Sequence, residues 1–526
     1  MPCGWALKQV VTKIIIEEKK TINTCVEKGE EMSTIRNIEY GKIEGLEENG
    51  IYKWLNIPFA KPPVGELRFK RAQKADCWDG IKPCKELGNA PYQFYGKVME
   101  KALGGKVPFS EDCLNMNIWA PKNAKKLPVF VWIYGGANHA GQNSVPEYSA
   151  EAFAHQDMIG VNFNYRVGAL GFYDFSKLDS SYDTNCALSD MIMALQFVHD
   201  NIEQFGGDPD NVTICGESAG GTAVYTLLAA PSSQGLFHKA IAMSGLEGNM
   251  TSYRTHELNN ALMLEKLGID KSNASKLREL PVKELQIAAE AVMDHSKYNP
   301  GILLTGPVVD GDLLPYKPWE AMEKGINKDV KCIFGTCRDE GTFFYMLKMA
   351  CQNWDEVKIM LERSGCPEKL DELKQAYANM SEKQAMQEIA RERMFWIDAI
   401  RCANAQSKNN TVYSYRYDFA SGLEKLVGLG ATHGSDICSG LDTWKGTMYM
   451  LNLLSSKVKI KKMHDYTHGS FVNFAKTGDP NGAVPVQWKP YNVDTKETLL
   501  LNQTCSTVQN PNGKYFEVWK DIFLYE

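Results

Sequence analysis

Val212-Thr213-Ile214-Cys215-Gly216-Glu217-Ser218-Ala219-Gly220 runs from a short apolar stretch into a glycine-flanked serine. Thr222 through Ala230 then continue as good helix formers, ending at Pro231. Strand, sharp turn and helix follow one another with a serine at the apex. Such a turn forces the serine backbone into a strained conformation, and only small neighbours let strand and helix approach so closely. Glycines at the second residue before and after Ser218 meet that demand. The hydroxyl is then presented at a helix start, where free N–H groups and the dipole favour developing negative charge. This is the pattern of a nucleophile elbow. Taken alone, Gly-x-Ser-x-Gly is a weak signal, because so short a motif arises by chance and an ordinary Gly-Ser turn reads the same.

The flanking residues argue against chance. Phe205-Gly206-Gly207-Asp208-Pro209-Asp210-Asn211 leads directly into the strand, and Phe205 to Gly220 as a whole resembles the serine signature of type-B carboxylesterases. A second signature of that family stands at Glu111-Asp112-Cys113-Leu114 and continues Asn115-Met116-Asn117-Ile118-Trp119-Ala120-Pro121. It departs at Asn115, where an aromatic residue or threonine is usual, and slightly at Met116. Pro62-Pro63-Val64-Gly65, Asn164-Tyr165-Arg166, Pro307-Val308-Val309-Asp310-Gly311 and Thr477-Gly478-Asp479-Pro480-Asn481 follow in the family's order. Most of the chain is similar to the type-B carboxylesterase/lipase family of cholinesterase-like esterases, and to its bacterial members. The resemblance implies an α/β-hydrolase fold: a central, mostly parallel twisted sheet flanked by helices, with N-terminal antiparallel strands.

A length of 526 residues corresponds to roughly three domains at about 150 residues each. No Pro/Ser/Gly-rich linker, charge block or repeat divides the chain after about residue 32. Following the resemblance, residues 32–526 are expected to form a single domain, preceded by an N-terminal extension, 1–31, that is flexible or non-native. The apolar run Val10, Val11, Ile14, Ile15, Ile16 is too short and too interrupted for a signal peptide. Lys28-Gly29-Glu30-Glu31 has the character of a translated purine-rich ribosome-binding site. Apolar and charged fractions of 44% and 23% are those of an ordinary globular protein. A net charge of −6 gives no electrostatic case for nucleic acid or an anionic membrane.

The chain has fourteen cysteines. Secreted relatives commonly tie the position of Cys113 to a cysteine about twenty residues upstream, where this chain has Ala90. Cys77 and Cys84 lie nearby but out of register. Cys215 and Cys332 stand in apolar strand-like runs, where a buried free thiol is the ordinary case. The pattern is expected of a reducing cytoplasm. No Cys/His spacing resembles a zinc site.

Residues 39–59 read as antiparallel strands. Val129 to Tyr134, Met158 to Asn164, Ala240 to Met243, Lys331 to Phe334, Val412 to Tyr417 and Thr498 to Leu501 read as further strands, the apolar runs suiting a sheet buried on both faces. Met191, Ala194, Leu195, Val198, Ile202 and Phe205 make a helical stripe. Helices are also expected over Thr255–Leu267, Asp355–Glu362 and Ser381–Ala403. Strands alternating with helices indicate α/β.

An acyl-transfer serine needs a base and an acid that orients the base. In α/β-hydrolases the order along the chain is Ser, then Asp or Glu, then His. Of nine histidines, His139, His155 and His199 precede the serine, and His238, His256 and His295 precede the expected acid. His464 and His468 occupy a lysine-rich helical segment, where solvated surface is the default. His433 remains, in the glycine-flanked loop Gly430-Ala431-Thr432-His433-Gly434, where the family carries its catalytic histidine. The family's Asp-Glu-Gly falls on Asp339-Glu340-Gly341, which makes Glu340 the acid and leaves Asp339 a structural role. The oxyanion hole is expected from the N–H groups of Ala219, Gly136 and Ala137, the last two on Tyr134-Gly135-Gly136-Ala137-Asn138-His139. Asn138-His139 replaces the family's aromatic and variable pair. That polar pair either meets a polar acyl group or ties the loop down. Residues 90–112 fall where relatives carry a flap, whose apolar underside would be Tyr92, Phe94, Tyr95, Met99 and Leu103; a plain surface loop is the alternative.

The resemblance implies a serine carboxylesterase acting on small-molecule esters through Ser218, Glu340 and His433, without cofactor or metal. A lipase or acyltransferase would use the same residues. A non-enzymatic partner-binding relative is disfavoured because all three positions are filled.

Overall fold

The structure is a computed structural model and describes residues 34–93, 107–246, 250–295, 305–446 and 448–523. The expected extension, 1–31, and Phe94, Tyr95, Met99 and Leu103 of the expected flap lie outside the described residues. Tyr92 packs against an apolar cluster that includes Phe69, Phe175 and Leu285.

The strands of the main sheet are, in chain order, β1 (Leu46–Glu48), β2 (Ile51–Pro58), β3 (Asn115–Pro121), β4 (Leu127–Ile133), β5 (Ile159–Phe163), β6 (Gly207–Glu217), β7 (Lys239–Met243), β8 (Lys331–Cys337), β9 (Val412–Tyr417), β10 (Glu497–Leu501) and β11 (Ser506–Gln509). They form one 11-stranded sheet in the order β11-β10-β9-β8-β7-β6-β4-β5-β3-β2-β1. From β5 to β10 every neighbouring pair is parallel. The pairs β1–β2, β2–β3, β3–β5 and β10–β11 are antiparallel and lie toward the two edges. Val129, Phe130, Val131, Trp132 and Ile133 are all fully buried, so successive residues are covered on opposite faces of the sheet. Ile35–Ile38 and Gly41–Glu44 form a smaller antiparallel pair nearby in sequence.

The expected strands are present with shifted ends, and in the main sheet β3 and β11 are strands that the apolar pattern did not mark. β6 begins at Gly207, five residues ahead of the apolar run at Val212, and reaches its partner β4 through a register irregularity between Gly207 and Val212. β3 alternates too weakly to read as a buried strand because Asn115 and Asn117 point into the protein. An asparagine network satisfies them. Asn117 Nδ2 donates to Asn162 Oδ1 at 2.9 Å, and Asn143 Nδ2 donates to Asn115 Oδ1 at 3.0 Å. The departure at Asn115 is thereby matched by its surroundings.

The helices that bear on the site are α1 (Cys186–Asn201), α2 (Ala219–Ala229), α3 (Glu340–Met346), α4 (Glu382–Arg391), α5 (Ile397–Gln406) and α6 (Lys457–Thr477). The helix expected over Ser381–Ala403 is interrupted: a π-helical turn, Glu392–Trp396, separates α4 from α5. α6 corrects a sequence expectation. It starts at the Ser456 cap and stops at Gly478, whose φ is 80°. Its histidines are buried rather than solvated, with His464 2% and His468 5% exposed. His464 Nδ1 lies 2.8 Å from Asp442 Oδ1, and His468 Nδ1 donates to Gly440 O at 3.0 Å. The lysines occupy the outer face of that helix and the histidines its inner face, a separation that composition alone cannot reveal.

The cysteines of the described residues are free thiols, and most, including Cys113, Cys215 and Cys337, are buried. Burial pushes these three thiols well above the ordinary range, which leaves them protonated and unreactive. Millimolar reductant is therefore expected to leave the melting temperature unchanged, with thiol titration after denaturation approaching the full complement. Detection of a bridge to Cys113 by intact mass would contradict this.

Candidate active site

Ser218 lies between the end of β6 and the start of α2 with φ 58° and ψ −124°, a conformation disfavoured for any residue with a side chain. Its surroundings fix it there. Ser218 N donates to Met243 O at the end of β7 at 3.0 Å, and Thr222 N donates to Ser218 O at 2.9 Å. The flanking glycines have a steric cause. A Cβ on Gly216 would fall 2.3 Å from Gly220 O, and one on Gly220 would fall 2.1 Å from Ile133 O.

β8 leads into the turn that precedes α3, whose first residue, Glu340, is fully buried. Glu340 Oε1 accepts from Cys337 N at 2.6 Å and from the hydroxyl of Ser244. Its other oxygen, Oε2, lies 2.6 Å from His433 Nδ1. Asp339 turns the opposite way. Its Oδ2 accepts from Ala431 N at 2.7 Å, and its own N–H donates to Ala431 O at 2.8 Å, so it clasps the loop that carries His433. The neighbouring carboxylates thus divide: one meets the imidazole and the other holds the imidazole's loop.

The His433 ring packs between Phe344, at 5.0 Å between ring centroids, and Phe395, at 4.6 Å. Phe395 comes from the π-helical turn. His433 Nε2 is 3.3 Å from Glu217 Oε1. It forms no hydrogen bond with Ser218 or any other described residue. Burial alone would lower the His433 pKa, but Glu217 and Glu340 outweigh it and hold the imidazole above its ordinary range. Burial likewise pushes the Glu217 carboxyl up, with Asp436 and Glu340 adding to the effect and His433 opposing it.

The loop after β4 passes close to the elbow. A Cβ on Gly135 would fall 2.4 Å from Glu217 O. Gly136, Ala137 and Asn138 follow at φ 127°, 54° and 62°. The N–H groups of Gly136 and Ala137 donate to no described residue, and Ala219 N is the first of the helix N–H groups that have no partner within α2. The base of the loop is locked by a reciprocal pair. Tyr134 OH donates to Tyr165 O at 3.0 Å, Tyr165 OH donates to Tyr134 O at 2.6 Å, and the rings stack at 4.4 Å. Arg166 beside them forms a buried ion pair with Asp190 at 2.6 Å. Removing one partner of such a pair typically costs about 3–5 kcal/mol, because the other charge is left uncompensated. This accounts for Asn164-Tyr165-Arg166 as a motif: it anchors the loop and the start of the next segment.

Asn138 and His139, the departure from the family pattern, both bond to Thr305. Of the two alternatives the sequence left open, the observed contacts are those of a tied loop. Sequence reading missed Ser244 and Thr305. Ser244 had one usable signal, its position directly after the β7 strand residues, where the carboxyl ends of parallel strands gather site residues. Thr305 had none.

The carboxylesterase family profile matches residues 32–519. The chain belongs to the carboxylesterase family. It is 33% identical over 478 residues to the para-nitrobenzyl esterase of Bacillus subtilis (strain 168), covering 90% of this chain and 96% of that protein. It is 30% identical to the phenmedipham hydrolase of Pseudarthrobacter oxydans, covering 88% of this chain and 93% of that protein. A solved structure of a PNB esterase superposes with a TM-score of 0.85 at 31% identity, over 94% of this chain and all of that chain (100%). The fold is therefore that of the α/β-hydrolases, and this carboxylesterase is a carboxylic ester hydrolase whose family acts on small-molecule esters.

Proposed function

We propose that this carboxylesterase works through an acyl-enzyme on Ser218, with His433 as base, Glu340 orienting it, and Gly136, Ala137 and Ala219 donating to the oxyanion. The observation that carries the reading is the hydrogen bond from His433 Nδ1 to the fully buried Glu340, 2.6 Å from its Oε2, in a chain whose serine is held in a strained elbow. Ser218 Oγ adds to the ester carbonyl carbon while its proton passes to His433 Nε2. The carbonyl electron pair moves to oxygen, where the three N–H groups stabilise it. Collapse breaks the bond to the alcohol oxygen, which takes the proton from His433. Water then repeats the sequence and releases the acid. No step calls for a cofactor or metal.

The test is a hydrolysis panel of para-nitrobenzyl and aryl esters of graded acyl length, amides and long-chain triglycerides, run with and without an added alcohol acceptor. Turnover of short esters, with labelling of Ser218 by a fluorophosphonate, supports the reading. A label on another serine removes Ser218 from the role.

The base must be neutral to accept the serine proton, so activity is lost as pH falls through the His433 pKa. Because Glu217 and Glu340 raise that pKa, the acid limb of kcat/KM is expected above the ordinary histidine value of about 6.5. Glu217→Gln removes one of the raising charges and should move the limb to lower pH. A limb that does not move would exclude Glu217 from this role.

We also assign the enzyme to the cytoplasm, which the buried free thiols support. Among the described residues no helix is long and apolar enough to cross a membrane. The family match starting at residue 32 supports reading 32–526 as one catalytic domain. A chain starting at Met32 is expected to keep full activity and nearly all its stability. Insolubility or inactivity of that truncation would make the first 31 residues part of the working enzyme.

A further inference from the structure

The segment Gly136-Ala137-Asn138 holds three successive residues at positive φ, two of them with side chains. Such a run persists only where the surroundings over-determine it. Some of the restraint comes from elsewhere: Gly168 N donates to Asn138 O at 2.7 Å, and Gly141 N donates to the side-chain Oε1 of Gln93 at 2.7 Å. The side chains that follow Ala137 converge on one distant residue. Asn138 Nδ2 donates to Thr305 O at 2.9 Å, and His139 Nε2 lies 2.5 Å from Thr305 Oγ1. Thr305 is itself fully buried. Burial holds the His139 imidazole down to about 4, so the bond joins neutral groups and persists across the working pH range. Where the family pattern has an aromatic residue and a variable one, this chain has two polar side chains held by hydrogen bonds.

We propose that Thr305 is a positioning residue of the oxyanion loop, holding the Gly136 and Ala137 N–H groups where the tetrahedral oxygen forms. The inference rests on the proposed role of those two donors. A hydrogen-bond donor aimed at a transition-state oxygen loses its value with small displacements, whereas ground-state binding of the ester tolerates them. Loosening the clamp should therefore act on kcat and spare KM.

Thr305→Val removes Oγ1 while keeping the side chain's shape and the carbonyl that Asn138 uses. Kinetics on a para-nitrobenzyl ester should show kcat lowered roughly 10- to 100-fold, with KM within about threefold of wild type. Two inhibitors separate positioning from general damage. An aryl trifluoromethyl ketone forms a tetrahedral adduct: its carbonyl carbon bonds Ser218 Oγ, the serine proton goes to His433, and the carbonyl pair becomes an oxyanion. Its affinity should weaken by the same factor as kcat. The matching methyl ketone, which stays planar, should bind as before. Thr305→Ser, which restores the hydroxyl, should return both values to near wild type. If Thr305→Val does not fold, His139→Gln disturbs the same bond from its other end and should give the same split.

Wild-type kcat and wild-type trifluoromethyl ketone affinity in Thr305→Val would overturn the proposal. So would equal weakening of both ketones together with a lower melting temperature, the signature of a merely structural contact. A wild-type enzyme that hydrolyses esters yet does not take up the fluorinated ketone would instead overturn the reading of the loop as an oxyanion hole.

Discussion

Ser218→Ala is expected to leave a folded enzyme with ester hydrolysis reduced on the order of 10³-fold or more, because the covalent route disappears. Folding should survive because the elbow is held by backbone contacts and by the steric fit of Gly216 and Gly220, none of which uses the hydroxyl. Alanine inherits the strained φ of 58°, so a small change in melting temperature in either direction is compatible with the assignment. Residual activity above the uncatalysed rate would come from the oxyanion donors and substrate binding alone. The decisive comparison is fluorophosphonate labelling of wild type and variant at equal melting temperature. A labelled variant, or one retaining a tenth or more of wild-type kcat/KM, would show that another nucleophile carries the reaction.

Glu340→Gln is expected to lower kcat/KM by roughly 10³- to 10⁴-fold with little change in size or packing. The two oxygens of Glu340 have different partners, and that asymmetry drives the effect. Oε1 faces two donors, Cys337 N–H and the Ser244 hydroxyl, while Oε2 faces His433 Nδ1. A glutamine would keep its carbonyl oxygen toward the two donors, which turns its NH₂ toward the imidazole. Nδ1 must then accept, the ring proton shifts to Nε2, and the nitrogen needed as base already carries a proton. The negative charge that stabilises the transient imidazolium is lost as well. Ser244→Ala tests the same logic in weaker form. It removes one donor from Oε1, so the carboxylate is less firmly oriented and the loss should be far smaller than for Glu340→Gln. Steady-state kinetics at the pH optimum of each variant separates these losses from a shifted pH profile. A Glu340→Gln enzyme within about tenfold of wild type would remove Glu340 from the acid role.

The parts of the site legible in sequence are those whose causes are local. The elbow is one, since strand, turn and helix are contiguous and the two glycines are dictated by contacts within a few residues and with the adjacent strand. The division of labour between Asp339 and Glu340 is partly local too, because adjacent side chains in a turn point apart. Which of them meets a histidine 93 positions on came only from family resemblance. Where reading by composition failed, the cause was a contact with a distant element. The lysine-rich segment from Lys457 suggested solvated histidines, but helical geometry turns His464 and His468 inward against Asp442 and Gly440. The stretch Ser381–Ala403 reads as one helix, whereas packing inserts a π-helical turn that brings Phe395 against the His433 ring.

By itself, the sequence determined the alternation of strands and helices, the serine at a strand–helix turn, and the small residues of the loop after β4. Each follows from backbone sterics and short-range periodicity, which act between near neighbours. Only the tertiary structure decided what surrounds those residues. It brought Ser244 and Cys337 to one oxygen of Glu340, set Glu217 3.3 Å from the imidazole, and made Thr305 the common partner of Asn138 and His139. The partners of Asn138 and His139 lie about 167 residues away along the chain. A hydrogen bond closed over such a distance is fixed by how the whole sheet and its loops pack, and it leaves no periodic or compositional trace at either end.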